Sequence, residues 1–290
     1  MIVFCLSTTI VSTQASDESY SVDDYNLEEF QNWKSDRLAN LKRPFGWLSL
    51  IGLEWVKEGS ERVGSHPDSD IVLPHYFPEY LGQLNSTDLY CDFKFEYENI
   101  PSEYFDPISL LRNGELTENK IEFQSFQAYL IERNGKYGLR MKDSLASTRM
   151  SFQGIDYFPF NKDYVVEAEV LPADVSTIMI ENVLGMFTET PVVAKLRFNI
   201  LDEEVELLAL DGGPDHYFLI FSDETSGLLT YGGGRYIDVR KEKTENEHIV
   251  IDFNRSYNPP CVYTDYATCP LPPQQNKLKF EIIVGELSGH

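Results

Sequence analysis

With 290 residues the chain is long enough for one large core or two smaller ones, and its 17 Tyr and 18 Phe mark a folded protein rather than a disordered one. The 47 Asp and Glu outweigh 24 Lys and Arg by 23 charges. That excess repels nucleic-acid phosphates and anionic lipid surfaces, so no nucleic-acid partner is expected.

Residues Met1 to Ala15 form an apolar run ending in Ser12-Thr13-Gln14-Ala15, with small side chains where a signal peptidase cuts. The expectation is a signal peptide over 1–15 and an exported protein, periplasmic or extracellular. No Lys or Arg precedes the apolar run, a departure from the usual signal pattern. The run is shorter than the roughly 20 residues a membrane helix needs, so no integral membrane insertion is expected after processing. Residues 16–44 then read as an acidic, Ser-rich leader followed by one amphipathic helix. Leu27, Phe30, Trp33 or Lys34, Leu38 and Leu41 recur at helical spacing, and Pro44 and Gly46 end the pattern.

Beyond the helix the period changes to two. Leu89, Cys91, Phe93, Phe95 and Tyr97 alternate with polar residues, the pattern of a strand with one buried face. Further strands are predicted at 71–73, 121–133, 137–142, 165–170, 177–180, 192–200, 205–210, 217–221, 237–240, 248–253 and 277–284. Short strands punctuated by Gly, Pro, Asn and Asp, without long intervening helices, predict an all-β fold: two antiparallel β-sandwich or barrel-like lobes plus the N-terminal helix. A composition break at Asp143 to Gly154 divides an N-terminal β lobe, 45–143, from a C-terminal β lobe, 152–286.

Cys5 falls in the signal run, leaving Cys91, Cys261 and Cys269. Cys91 sits among apolar alternating positions and reads as a small buried hydrophobe. In an exported chain Cys261 and Cys269 are expected to form a disulfide; their spacing is not that of a zinc site, and no His lies nearby. His66, Asp68, Asp70 and His75 match no zinc or calcium spacing, so no metal and no cofactor are expected.

Candidate site residues gather toward the C-terminus. Tyr231-Gly232-Gly233-Gly234-Arg235 lacks the Lys-Ser/Thr of a phosphate loop and reads as a turn using positive φ. Arg235, beyond those glycines, is placed to clamp a carboxylate or a phosphate, to pair with Asp223, or to stand as a surface Arg. Asp252, Asn254, Arg255, Tyr257 and Asn258 crowd polar groups where a strand enters a Pro-stiffened loop. The ligand-binding set is therefore Asp223, Thr225, Tyr231, Arg235, Asp252, Asn254, Tyr257 and Asn258. The leading function is binding of a small molecule, glycan or peptide by the C-terminal lobe. The alternative is a hydrolase using Asp223 and Asp252 as paired carboxylates, with Glu286 as a third candidate; a structural envelope protein is the third reading.

Phe45-Gly46-Trp47-Leu48-Ser49-Leu50-Ile51-Gly52-Leu53-Glu54-Trp55, Thr230 to Tyr236, Asp252 to Cys261 and Cys269-Pro270-Leu271-Pro272-Pro273 together resemble a bacterial and archaeal family, domain of unknown function 1684. The resemblance spans roughly Trp33 to Glu286 and implies no particular activity. Gly59, Val63-Gly64-Ser65, Asp70-Ile71 and Gly138-Leu139-Arg140 have a fainter likeness to forkhead-associated sandwiches, whose members bind phosphothreonine. Gly64-Ser65 stands where those domains carry Gly-Arg, and without that guanidinium the likeness implies architecture rather than phosphopeptide binding.

Overall fold

The computed structural model describes residues 21–98 and 105–288. The signal-peptide reading of Met1 to Ala15, Cys5 included, lies outside the described residues. Among the described residues two α-helices, α1 (Leu27–Leu41) and the one-turn α2 (Ser147–Ser151), accompany seventeen strands. Among the described residues no helix is long and apolar enough to cross a membrane.

The N-terminal half contains β1 (Leu50–Trp55), β2 (Gly59–Gly64), β3 (Ile71–Val72), β4 (Gly82–Ser86) and β5 (Tyr90–Phe95). It continues through β6 (Ile108–Arg112), β7 (Glu115–Leu116), β8 (Ile121–Phe123), β9 (Phe126–Arg133) and β10 (Lys136–Asp143). These form a four-stranded sheet, β1-β10-β9-β8, and a six-stranded sheet, β3-β2-β4-β5-β6-β7. The sheets face each other across one core. Val63, Ile71, Leu84, Phe93 and Leu111 of the larger sheet meet Ile121, Phe126, Ala128, Leu139 and Met141 of the smaller, as period-two alternation requires of a sandwich. Cys91 lies in this core without a disulfide partner, and burial pushes its thiol up to about 12. The pairing is antiparallel throughout except at β2 and β3, which run parallel.

The C-terminal half contains β11 (Val165–Leu171), β12 (Thr177–Glu181), β13 (Phe187–Ile200), β14 (Glu203–Asp211), β15 (His216–Phe221), β16 (Arg235–Arg240) and β17 (Ile249–Asp252). Six form one sheet in the order β16-β15-β14-β13-β11-β17, with β12 paired to the first half of β13. The sheet curls until its ends approach. Tyr236 of β16 exchanges both backbone hydrogen bonds with Tyr257, just beyond β17, at 2.8 and 2.9 Å. The result is a near-barrel filled by Leu196, Phe198, Leu207, Leu219, Phe221, Ile237, Ile251 and Phe253.

Two predicted strands need correction. The run at 121–133 is a hairpin, broken where Gln124 takes φ 54° in the turn between β8 and β9. The run at 277–284 is not a strand, although Leu278, Ile282 and Val284 are buried at alternate positions as the sequence suggests. Its backbone groups find other partners: Leu278 N donates to Ser222 O, and the carbonyls of Ile282 and Val284 both accept from Arg235. The segment plugs the barrel rather than extending its sheet. Asn276, fully buried, supports the plug by bonding the backbones of Leu208 and Ile220, where β14 and β15 splay apart.

Helix α1 begins at Asn26, whose side chain accepts from Glu28 N and Glu29 N as an N-cap. Only Phe30 and Leu41 of the helix are buried; Leu27, expected on the apolar face, is exposed. Phe30 packs on Tyr157 and Phe160, which fixes the helix against the barrel.

Candidate functional site

Arg235 is fully buried. Its guanidinium lies 2.8 Å from Asp223, itself sealed from solvent, and donates to the carbonyls of Ile282 and Val284. Asp223 Oδ1 in turn accepts from the Thr225 amide at 2.8 Å and its hydroxyl at 2.6 Å. Burial pulls the guanidinium down from the usual arginine range, and Asp223 opposes that pull. These groups form a brace between β16 and the plug. Only Gly234, at φ 84°, uses positive φ in the Tyr231 to Gly234 turn that leads into Arg235.

Asp252 is separate from that brace. Its Oδ1 accepts the amide and side-chain nitrogen of Asn254, and Oδ2 lies 3.1 Å from Arg255 Nε. Asn254 is buried and also ties down Asn161. Asp223 and Asp252 thus carry different guanidinium partners. Glu286 has a third: fully buried, it pairs with Arg37 of α1 at 2.8 Å and accepts from Asn258 N and the Tyr263 hydroxyl. Asn258 further donates to Leu287 O. Of the eight ligand-binding candidates, Asp252 and Tyr257 line open space; Asp223, Thr225, Arg235, Asn254 and Asn258 are buried in bonding networks, and Tyr231 is half-buried at the glycine turn.

The open space is a trough between α1 and the outer face of β15 and β16. The cleft at one end of it, about 370 Å³, has one wall from Trp33, Asp36, Arg37 and Asn40 of α1 and is also lined by Trp47. Phe218, Tyr236, Asp238, Tyr257 and Pro260 form the other wall. The helical residues sit at spacings of three and four, hence on one face. A second cleft of about 230 Å³ shares Trp33 and Asp238 and reaches Asp252 and Arg255; a third, about 430 Å³, shares His216 and Arg240 with the second. Placed end to end, the three make an elongated groove.

Aromatic rings set its shape. Phe218 meets Tyr236 edge-on, Tyr236 meets Tyr257 in the same way, and the Arg37 guanidinium lies 4.6 Å above Tyr257. The Tyr257 hydroxyl donates to Asp238 at 2.9 Å; burial first, and then Asp238, pushes that phenol far above its usual range. Burial pulls Arg37 down, but Glu286 more than reverses this and holds the guanidinium fully charged. Asp252 is raised chiefly by burial, against the opposing pull of Asn254 and Arg255. Asp36 and Asn40 have no side-chain partner among the described residues, so their acceptors stay available to a ligand.

The model of the family described as "Protein of unknown function (DUF1684)" matches residues 150–287. The chain belongs to that family. An uncharacterised protein of Haloarcula marismortui, solved by solution NMR, is 31% identical to it. The likeness covers 48% of this chain and 78% of that one, with a TM-score of 0.40. No curated protein matches the chain. The DUF1684 match contains the near-barrel, the plug and one wall of the trough. The other wall, on α1 and at Trp47, comes from outside the matched segment. That wall carries the site residues the sequence reading missed, and its signal was the Trp33, Asp36, Arg37, Asn40 stripe at helical spacing.

Proposed function

We propose that this protein binds an extended, hydroxyl-rich ligand, a glycan chain, along the trough between α1 and the C-terminal near-barrel. One observation carries the reading: the rings of Trp33 and Trp47 line the same groove as the unpartnered side chains of Asp36 and Asn40. The apolar face of a sugar ring packs well on an indole, while Asp36, Asn40 and Asp238 offer acceptors to its hydroxyls. A single enclosed cavity would suit a compact cofactor; three adjoining clefts suit a chain. Export to the periplasm or beyond is part of the proposal, supported by the Met1 to Ala15 pattern and by the Cys261–Cys269 disulfide, which persists in oxidising compartments.

Two of the three tryptophans, Trp33 and Trp47, line the cleft, so intrinsic fluorescence reports on it directly. Titration with chito-, cello- and malto-oligosaccharides should give saturable quenching or a blue shift for at least one series. Trp33→Ala and Asp238→Asn should abolish that response in folded protein. A chain that answers to none of these glycans defeats the proposal.

A hydrolase remains the second reading, and one feature favours it: Asp252 lines the trough with a carboxyl raised by burial, as a general acid requires. Turnover of a bound oligosaccharide that disappears in Asp252→Asn, with binding retained, selects this reading over simple binding.

A further inference from the structure

The outward face of the β1-β10-β9-β8 sheet gathers cations, Arg140, Lys142 and Lys120, that form no ion pair among the described residues. Register places Arg140 opposite Tyr129 and Lys142 opposite Gln127, while Leu139 and Met141 point into the core. Arg140 is only 5% exposed, yet its guanidinium has no hydrogen-bond acceptor among the described residues, and its Nε is sealed and unpaired. Its contact is the Trp47 ring, 5.4 Å away. Lys142 lies 5.8 Å from Trp47 and 5.6 Å from Tyr129, and donates to Phe45 O. Lys120, exposed, lies 5.9 Å from Tyr129. Glu122, on the same face, is occupied by Gln127.

The surrounding electrostatics agree. Burial pulls the Lys142 ammonium down, Arg140 and Lys120 add to that pull, and Tyr129 alone opposes it. Arg133 is likewise pulled down, by burial and then by Arg140, against a weaker opposing pull from Glu132 and Tyr129. In a chain with about twice as many acidic as basic residues, cations placed at random would find carboxylates. A buried, unpaired guanidinium is strongly unfavourable unless something else supplies its counter-charge.

We propose that Arg140, Lys142 and Lys120, framed by Tyr129 and Trp47, form a site for a small oxyanion. A guanidinium edge matches the paired oxygens of a phosphate or a carboxylate, and the two ammonium groups add charge at the exposed side where such an ion enters. The site lies beyond the trough and shares only Trp47 with it.

Calorimetry and thermal unfolding of the full chain, with sodium phosphate or sodium succinate against sodium chloride at equal ionic strength, test the proposal. A saturable rise in Tm with phosphate, succinate or both is expected, and the two arms separate a phosphate ligand from a carboxylate one. Arg140→Met should abolish the response while raising Tm in the absence of oxyanion, because it removes an uncompensated charge. The double variant Lys120→Gln/Lys142→Gln should weaken oxyanion affinity about tenfold or more, and it decides the matter should Arg140→Met not fold. Trp33→Ala should leave the response intact, which separates this site from the trough. No oxyanion effect beyond chloride, or an effect unchanged in the Lys120→Gln/Lys142→Gln protein, overturns the proposal.

Discussion

Arg37 Nε of α1 stands 2.8 Å from Glu286 Oε1 in the last irregular segment, so one buried ion pair ties the helical wall of the trough to the plug of the barrel. Glu286 is wholly buried and the Arg37 side chain is 16% exposed, and the pair is reinforced by Asn258 N on Glu286 and by Arg37 donating to Asn258 O. Removing one partner strands the other charge away from water. Glu286→Gln should therefore lower stability by about 3–5 kcal/mol, read from urea unfolding. The double variant Arg37→Met/Glu286→Gln should recover part of that loss. If each single change is nearly neutral, the helix is not held by this pair.

Arg235 offers a different test, because a clamp and a brace respond differently. In the structure it faces Asp223 and two carbonyls, and none of the described clefts includes it. Arg235→Lys keeps a charge but cannot satisfy Asp223 and two carbonyls with the same geometry. The expected outcome is a fall in stability of about 3 kcal/mol or more, with glycan affinity at the trough unchanged in the folded fraction. Loss of affinity at unaltered Tm would instead return Arg235 to the ligand.

These two arginines show where sequence reading succeeds and where it stops. The Asp223–Arg235 partnership was one of three readings of Arg235, because Asp, Thr, Gly and Arg clustered within a short stretch point to each other locally. Arg37 gave no such signal: its partner is 249 residues away, and no local period encodes that distance. The strand at 89–97 and the helix at 27–41 were legible because each hides one face with its own period. The 277–284 run shows the same alternation and is nonetheless irregular, since its carbonyls bond a side chain instead of a neighbouring strand. The trough was half legible; Asp252 and Tyr257 stood out as a polar cluster, whereas its other wall became visible only when α1 was seen against the barrel.

The Cys261–Cys269 disulfide closes a short loop beside Pro259 and Pro260, with Cα atoms 6.1 Å apart. Closing so short a loop constrains the unfolded chain by about 2.5 kcal/mol in the loop-entropy description. The variant Cys261→Ser/Cys269→Ser should lower stability by about that amount, and reductant should destabilise the native protein while leaving this variant unaffected. The same loop carries Thr268, bonded by Arg133 of the N-terminal half. Loosening it should accordingly increase hydrogen exchange in β9 as well as in the loop.

High pH should bring out the tyrosines whose phenols the fold raises. Burial raises Tyr236, Tyr257 and Tyr263 far above the usual phenol range, and Tyr76, which donates to Asp143, is pushed up to about 12. A folded value above the unfolded one means the native state holds protons that the unfolded chain has released. The resulting stability is complete below the unfolded phenol value of about 10, and is lost as pH rises from there through the folded values. Phenolate absorbance should therefore show some tyrosines ionising normally and the rest only as the protein unfolds. Tyr257→Phe makes the argument specific. It removes the hydrogen bond to Asp238 but keeps the ring beneath Arg37, so near neutrality it should be less stable than the parent by about 1 kcal/mol. Above about pH 10 the parent loses its advantage and the variant does not, so the gap between their urea midpoints should narrow. A gap that stays constant into that range would mean that Tyr257 titrates alike in the folded and unfolded chains.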